Sequence, residues 1–451
     1  MKHFIAVALT IALFTSCVKV NFNEEGSNGG GSHSDDPNET KLITGTIDRS
    51  ITLRKGVYTL QGYVYVNNNA VLTIEPGTII KSAESAGGEK GALIIERGSK
   101  LIAEGTPNEP IVFTSAKAPG NRAPGDWGGI ILLGKAPTNR PTSPAPIIEG
   151  GVNRPYGGTD PNDNSGILKY VRIEFSGVAA EPGSEINGLT LGGVGAGTTI
   201  EYVQVSYGSD DAYEFFGGTV NCRHLVALGT MDDDFDFDFG YTGNIQFAVS
   251  LRDKPADSDA ANGIEADNDG SGTSATPYTR PVLSNFTFIG PYDTTGAHSN
   301  HNYSNRWRRA VRFVLRNSLL IGHLKAGFSI ESDASLEAYK NGESEFKNNI
   351  VAVYAEPYKS SNSAILSAAD MKAKAESEGC LTLATREEVE LTDPFNLTNP
   401  NFLPKAGSPA LTGGSTAGMG AFFTNTAYRG AFGDNNWLTG WASFSPKTNN
   451  Y

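Results

Sequence analysis

Residues 231–240, MDDDFDFDFG, contain the pattern that decides the fold of this chain. After three consecutive aspartates, phenylalanine and aspartate alternate from Phe235 to Phe239. Successive side chains of a β-strand point to opposite faces, so a period of two separates the phenylalanines from Asp236 and Asp238. The stretch therefore predicts a strand with a buried aromatic face and an outward-facing acidic face.

Related stretches flank this one at regular intervals. SDDAYEFFGG (209–218) precedes it by 22 residues and aligns Glu214 with Asp236, while NGIEADNDG (262–270) follows it. NGLTLGG (187–193) occupies the equivalent place without acidic residues. Such periodicity is typical of repeat architectures, in which equivalent residues of successive repeats lie side by side.

Short apolar segments recur at two spacings, near 21 and near 32 residues. LTIEPGTIIK (72–81) aligns with LIIERGSKLI (93–102), and the segment beginning at Lys169 aligns with that beginning at Glu201. A sandwich would show hairpin signals, and a propeller would need repeats of about 40–45 residues. We therefore expect an all-β parallel β-helix (solenoid), in which each coil stacks on the previous one.

Composition narrows the possible partners. The chain has 451 residues and a net charge of −13. Nucleic-acid binding needs clustered Lys and Arg, so a nucleic-acid partner is not expected. The acidic balance is compatible with the binding of cations.

The first residues resemble a bacterial lipoprotein signal. The apolar run 4–14, FIAVALTIALF, is too short to span a bilayer, and Thr15-Ser16-Cys17 follows it. Such a signal implies removal of residues 1–16 by cleavage before Cys17, and lipidation of Cys17. The only membrane attachment would then be the lipid anchor. The alternative is a plain secretory signal with an incidental cysteine. Residues 17–40 are polar, acidic and glycine-rich, which is typical of a flexible tether.

The outward-facing acids are candidate metal ligands. Adjacent coils would lie about 4.8 Å apart, where two carboxylates repel by about 3 kcal/mol at an effective dielectric of 20. A solvated acidic face tolerates this repulsion, whereas a covered one needs a cation such as Ca²⁺ or neutralising arginines. Both alternatives stay open. The candidate ligands are Asp211, Glu214, Asp233, Asp236, Asp238, Glu265 and Asp267.

A second set of candidates concerns ligand binding. The stretch NRWRRAVRFVLRN (305–317) concentrates arginines, of which Arg312 and Arg316 share strand parity. They either pair with neighbouring carboxylates or bind an anionic sugar. Aromatic residues on polar loops can stack on sugar rings, and Tyr303 and Trp307 are the candidates beside these arginines. The other aromatic residues of this kind are Tyr156, Tyr292, Tyr354, Tyr358, Tyr428, Trp437 and Trp441, the last two of which could instead cap the core.

The chain divides into a β-helix at 41–392 and a last coil with a C-terminal cap at 393–451. Within the first, residues 367–378 predict a short helix with Ser367 as N-cap. Cys222 and Cys380 could pair or remain two buried thiols.

Several motifs resemble those of large surface lipoproteins of Bacteroidota. They are LTIEPGTIIK, GDWGGIILLGKAP, AGSPAL and YRGAFGDNNWLTGW, together with the long stretch that begins NGLTLGG. The resemblance implies a right-handed parallel β-helix and an outer-membrane location, with the domain exposed at the cell surface. It implies no particular activity and no functional residues.

Two main functions are compatible with these features. The preferred hypothesis is a lipid-anchored surface protein that acts as a binding or scaffold module for glycans or for outer-membrane protein partners. The alternative is a Ca²⁺-dependent β-helical polysaccharide lyase or glycoside hydrolase on the same scaffold. A purely structural adhesin is a third hypothesis.

Overall fold

The computed structural model describes residues 41–85, 87–181, 184–256, 260–291 and 293–451, and at 179–181 and 184 the backbone alone. Cys17, the signal segment 1–16 and the tether 17–40 lie outside the described residues, as does Tyr292. Within them, 26 strands form one continuous sheet in which every pairing between strands is parallel. This arrangement confirms the predicted parallel β-helix.

Each coil contributes a strand to three stacked faces, which we name A, B and C in the order in which the chain visits them. Face A consists of the second part of Val57–Val66, then Ala92–Ile95, Ile130–Leu133, Leu189–Gly192, Tyr213–Phe216, Phe235–Asp238, Ile264–Ala266, Tyr303–Trp307, Ala326–Ile330 and Glu356–Ser360. Long strands cross from face B to face C at Gly166–Glu174, Thr199–Ser206, Asn221–Leu228, Asn244–Leu251 and Val282–Ile289. Lys41–Ile47 begins face C with its first residues and face A with its last two, and the first part of Val57–Val66 follows it on face C.

Shorter strands complete faces B and C. Face B also contains Ile51–Leu53, Val71–Ile74, Lys100–Glu104, Val314–Arg316 and Glu345–Lys347, and face C contains Ile79–Ala83, Ile111–Ser115, Leu319–Ile321, Ile350–Ala352 and Leu381–Thr382. Two small antiparallel pairs lie outside the solenoid sheet, Ala179–Glu181 with Ser184–Glu185 and Leu391–Asp393 with Asn401–Pro404.

The bend between faces B and C contains a left-handed residue in seven successive coils. This position carries a φ between 51° and 65° at Tyr170, Tyr202, His224, Phe247, Asn285, Asn317 and Asn348. Asparagine tolerates this conformation, whereas the aromatic residues do so at a cost in strain. Stacking offsets that cost, because the rings of Tyr202 and His224 lie parallel with their centroids 4.2 Å apart.

The interior of the solenoid is built from stacked rings, as the alternation predicts for two of the three phenylalanines. Phe235 stacks on Tyr213 of the preceding coil at 5.2 Å, and Phe237 stacks on Phe215 at 5.0 Å. Phe235 and Phe237 are fully buried, and burial of each ring contributes on the order of 2 kcal/mol.

Phe239 does not point into the core, so the expectation for this third ring is wrong. Its φ is 48°, because the chain leaves the strand after Asp238 and turns outward. The ring packs against Phe216 on the outside of face A, with the guanidinium of Arg140 4.8 Å from its centroid.

Within the described residues two α-helices interrupt the late coils, and short 3-10 helices follow at Glu387–Val389 and Pro409–Leu411. The predicted helix is confirmed at Ala368–Ser377, where the Ser367 hydroxyl accepts the N–H of Asp370 at 3.1 Å in a capping box. A second helix, Asp333–Lys340, was not expected, although its N-cap Ser332 is an ordinary capping residue. Cys222 and Cys380 are both free and buried, so the pairing alternative is wrong.

The C-terminal residues do not form a last coil and cap, so the expectation for residues 393–451 is wrong. The segment 412–451, here called the C-terminal strap, turns back along the outside of face C towards the first coils. The Gln246 side chain hydrogen-bonds with the backbone of Thr424 at 2.8 Å, and Lys81 Nζ donates to the Tyr451 carbonyl at 2.8 Å.

The strap covers apolar surface that the solenoid exposes. The outer side of face C carries buried residues such as Val226 and Leu251, which pack with Phe432, Leu438 and Trp441 of the strap. Trp441 is fully buried and Trp437 is partly buried, so these two residues contribute to the core under the strap.

Truncating Phe237 tests the stacked interior. We expect Phe237→Ala to lower the free energy of unfolding by about 3–5 kcal/mol, because a large cavity opens between coils. Phe239→Ala is the matched control and should cost at most about 1 kcal/mol, since this ring is only partly buried. Denaturant unfolding of both variants measures the difference, and equal losses would contradict the assignment of Phe237 to the core.

Candidate metal centre

Parallel pairing stacks the alternating acids into a column on face A. Glu214 pairs with Asp236, Asp236 pairs with Glu265, and Glu265 pairs with Arg306 in successive coils. Because inward-facing neighbours such as Phe215 and Phe237 occupy the core, these carboxyl groups must lie on the outside of the sheet. The register therefore brings together residues that are 22 to 41 positions apart in sequence.

A second acidic column lies at the turn that enters face A. Asp211 Oδ1 accepts the N–H of Asp233 at 2.8 Å, and Asp233 Oδ1 accepts the N–H of Asn262 at 2.5 Å. Asn262 Oδ1 continues the column by accepting the N–H of Tyr303 at 3.2 Å. Asp211 and Asp233 thus each use Oδ1 to hold the next coil, which leaves Oδ2 for other contacts.

The two columns converge on one cluster of carboxylates, here called the acidic groove. Its oxygens fall into three overlapping groups, each with ligand atoms within 4.8 Å of one another. The groups are Asp210, Asp211 and Asp232; Asp211, Glu214 and Asp236; and Asp233, Asp236 and Glu265. Five of the seven predicted ligands therefore meet, and Asp210 and Asp232 join them.

The groove is largely covered. Glu214 is 7% exposed and Asp233 is 3% exposed, whereas Asp236 and Asp238 remain partly accessible. A fully solvated acidic face, one of the two alternatives raised by the sequence, does not describe this surface.

The loop between residues 134 and 165 provides part of the cover. It anchors on the ring of Phe216, to which Tyr156 packs at 6.0 Å, and Asn139 donates to the carbonyl of Asn268 at 2.6 Å. The loop carries Glu149, which hydrogen-bonds with Glu214. No pattern in the sequence predicted Glu149, because its position in a long insertion gave no signal that it would fold back over the acids.

Burial and mutual repulsion raise the pKa values of the groove carboxyl groups. Burial is the largest cause for Asp211, Glu214 and Asp236, and neighbouring carboxylates add to it. The neighbours are Asp232 for Asp211, Glu149 for Glu214 and Asp238 for Asp236. The pKa of each group lies well above its ordinary value, so the groove at neutral pH favours protons or a cation.

Arginines neutralise the acids of the next coils. Arg308 Nε and Arg309 Nη1 contact Asp267 at 2.9 and 2.6 Å, and Arg306 bridges Glu265 at 2.7 Å and Glu331 at 2.9 Å. Arginines, one of the two neutralising groups considered from the sequence, therefore serve this half of the acidic surface. Asp267 belongs to this half.

The proposed ligand-binding arginines lie elsewhere. Arg312 pairs with Glu343 at 2.8 Å, and Arg316 Nε donates to Glu345 at 2.8 Å from its position on face B. These ion pairs correspond to the simpler of the two interpretations offered by the sequence.

The expectation that the neighbouring aromatic residues are exposed is wrong. Trp307 is fully buried and stacks on Phe313 at 4.1 Å, because its parity on the strand points it into the core. Tyr303 is 8% exposed and contacts Lys359. Tyr156 and Tyr358 are buried as well, whereas Tyr354 is 41% exposed.

The residues of the groove fit a hard divalent cation. All the donors are oxygens, which Ca²⁺ prefers in sets of six to eight. Asp236 Oδ1 and Asp238 Oδ1 are buried atoms without a hydrogen-bond partner, which is costly unless something binds them. Asp211, Glu214 and Asp236, or Asp233, Asp236 and Glu265, would hold the ion.

Neutralising one groove carboxylate should stabilise the metal-free protein. We expect Asp236→Asn, in a chelator at pH 8, to raise the free energy of unfolding by on the order of 1–3 kcal/mol. Because the pKa of Asp236 is raised in the folded state, the wild-type group favours folding only at low pH, and this contribution is lost as the pH rises through the folded pKa. The gain should therefore shrink as the pH is lowered towards 4.

Thermal unfolding across this pH range measures the effect. Asp48→Asn, which removes one exposed carboxylate on the first coil, is the control and should change little. A destabilised Asp236→Asn protein at pH 8 would contradict the account of an over-charged groove.

The described part of the chain contains no helix that is long and apolar enough to cross a membrane. A search of curated proteins found no match to the chain. The model of a pectate-lyase-like β-helix domain matches residues 45–388, which is more than half of the chain. The match covers the solenoid and its acidic groove, and such domains suggest a role connected with polysaccharides. The chain therefore belongs to the pectate-lyase-like β-helix family.

Proposed function

We propose that this protein is a surface-exposed lipoprotein of an outer membrane that binds an acidic polysaccharide through Ca²⁺ held in the acidic groove. The observation that carries the proposal is the cluster of Asp211, Glu214 and Asp236, whose oxygens lie within 4.8 Å of one another. Among the ion pairs of the described residues, the arginine pairs nearest to this cluster are those of Glu265 and none involves its three members. The location rests on the lipoprotein-like signal and on Cys17.

The electrostatics of the groove favour an acidic ligand only when a cation is present. Two carboxylates 4–5 Å apart repel by about 1 kcal/mol in water and by several times more in a covered site. A divalent cation reverses the sign of this interaction, because it can share its coordination between protein and uronate carboxylates. Binding should therefore depend strictly on the metal.

The accessible part of the groove provides the place for such a bridge. Asp236 and Asp238 are partly exposed, while Glu214 and Asp233 lie deeper. The deeper groups would hold the ion from the protein side, and the exposed edge would leave coordination positions for the sugar. The family to which the chain belongs supports a polysaccharide as the source of these carboxylates.

Catalysis on the same scaffold is the second candidate. Arg306 and Arg308 both pair with Glu265, one of the groove carboxylates, and are therefore the arginines that could assist catalysis there. Both guanidiniums are already committed to Glu265, Glu331 and Asp267, so binding without turnover is the function that the geometry supports better. An assay for unsaturated uronate ends on polygalacturonate with Ca²⁺ separates the two candidates.

Calcium should stabilise the protein and permit binding. We expect millimolar CaCl₂ at pH 8 to raise the Tm and to allow retention on immobilised polygalacturonate, with both effects reversed by a chelator. Glu214→Gln combined with Asp236→Asn should abolish both responses. Asp48→Asn should behave like the wild type. A protein whose Tm and retention ignore both Ca²⁺ and the chelator would refute the proposal.

The lipid anchor has its own test. We expect Cys17→Ala to move the full-length protein from the membrane fraction to the soluble fraction, because the thiol that would carry the lipid is lost. Cys222→Ala is the control, since this buried thiol lies inside the solenoid. Protease treatment of intact cells then measures surface exposure, and membrane retention of Cys17→Ala would contradict the anchor.

A further inference from the structure

A separate pocket lies at the turn between faces A and B, in coils that precede the acidic groove. It is an open depression with a volume of about 440 Å³. Arg97 and Lys135 line it together with residues 157–160. Glycines at 157 and 158 bring that backbone close, and Arg97 Nη1 donates to the Gly157 carbonyl at 3.0 Å.

The charges of this pocket are unusual for the molecule. The chain carries a net charge of −13, yet neither Arg97 nor Lys135 forms an ion pair within the described ranges. Neighbouring cations do find partners, since Arg154 pairs with Glu96 at 2.7 Å. Asp160 is the one carboxylate among the residues that line the pocket, and its Oδ1 accepts the N–H of Asn162 at 3.0 Å. With two cations and one carboxylate, the lining carries an excess of positive charge.

The pocket and the acidic groove share one loop. Residues 157–160 line the pocket, and Glu149, on the same 134–165 loop, reaches Glu214 in the groove. Between them, Tyr156 packs on Phe216, whose strand also carries Glu214. A chain of sugars that follows face A could therefore contact both places.

We propose that the Arg97–Lys135 pocket binds an anionic substituent of a glycan, a carboxylate or a sulfate ester, directly and without a metal. Two cations beside a glycine-rich backbone provide charge-assisted hydrogen bonds to such a group. The description of the pocket as a glycan subsite rests on the proposed function, whereas anion binding itself does not. Metal-free binding distinguishes this pocket from the acidic groove.

The experiment uses small probes in the presence of a chelator, which removes any contribution from Ca²⁺ in the groove. Galacturonate, a sulfated galactose and neutral galactose are titrated into the soluble domain, and binding is followed by saturation-transfer NMR. We expect at least one acidic probe to bind with a millimolar Kd and galactose to bind at least fivefold more weakly. The acid that binds identifies the substituent.

The variant Arg97→Gln with Lys135→Gln should weaken acidic-probe binding at least fivefold. Arg54→Gln with Lys405→Gln removes the same charge from exposed positions elsewhere and should leave binding unchanged. Lys135→Gln alone, at an exposed side chain, should still weaken binding measurably if the double variant is unstable. The proposal is overturned if neither acid binds the wild type, if galactose binds equally well, or if the pocket variants match the control.

The outcome is independent of the calcium proposal. Loss of Ca²⁺-dependent polymer retention with intact binding of the small acids would refute the groove and leave the pocket standing. Failure of the small acids to bind, with Ca²⁺-dependent retention intact, would refute the pocket alone.

Discussion

Parallel stacking of one coil directly on the next is the constraint on which the rest of this structure depends. The spacing of about 4.8 Å between paired strands places equivalent residues of successive coils in contact. On the inside this contact is favourable, since Phe237 stacks on Phe215 and buries its whole surface. On the outside the same register sets Glu214 beside Asp236, where like charges repel. The core and the acidic groove are thus two results of one pairing.

The protein resolves the repulsion differently along its length. In later coils the outward column continues into Arg306, and its guanidinium neutralises Glu265 and Glu331. In earlier coils Glu214 meets Glu149 under a loop and forms no ion pair with an arginine of the described residues, and burial together with the neighbouring carboxylates raises its pKa. If arginines neutralised the outward-facing carboxylates in every coil, the metal-free protein would be more stable. The coils whose carboxylates lack such a partner are therefore where function is expected.

The sequence was sufficient to predict the features that depend on the alternation of residues along a strand and on the repeat length. The alternation in residues 231–240 predicts which ring faces inward, and the 22-residue offset predicts that Glu214 meets Asp236. Interactions between distant segments were beyond it. Trp307 belongs to the core because its register follows Ala266, which no local pattern reveals. Glu149 reaches the groove from an insertion, and the C-terminal strap crosses coils that precede it by hundreds of residues.

The C-terminal strap changes how independently the two ends of the solenoid can unfold. In a simple solenoid each coil touches only its neighbours, so either end can fray without disturbing the other. Here the Tyr451 carbonyl accepts a hydrogen bond from Lys81, 370 residues earlier, and the segment between spans the intervening coils. The C-terminal strap therefore links early and late coils, so that they are expected to unfold together as one cooperative unit. The flank of the early coils therefore stays bare during synthesis until the ribosome has made the residues that cover it.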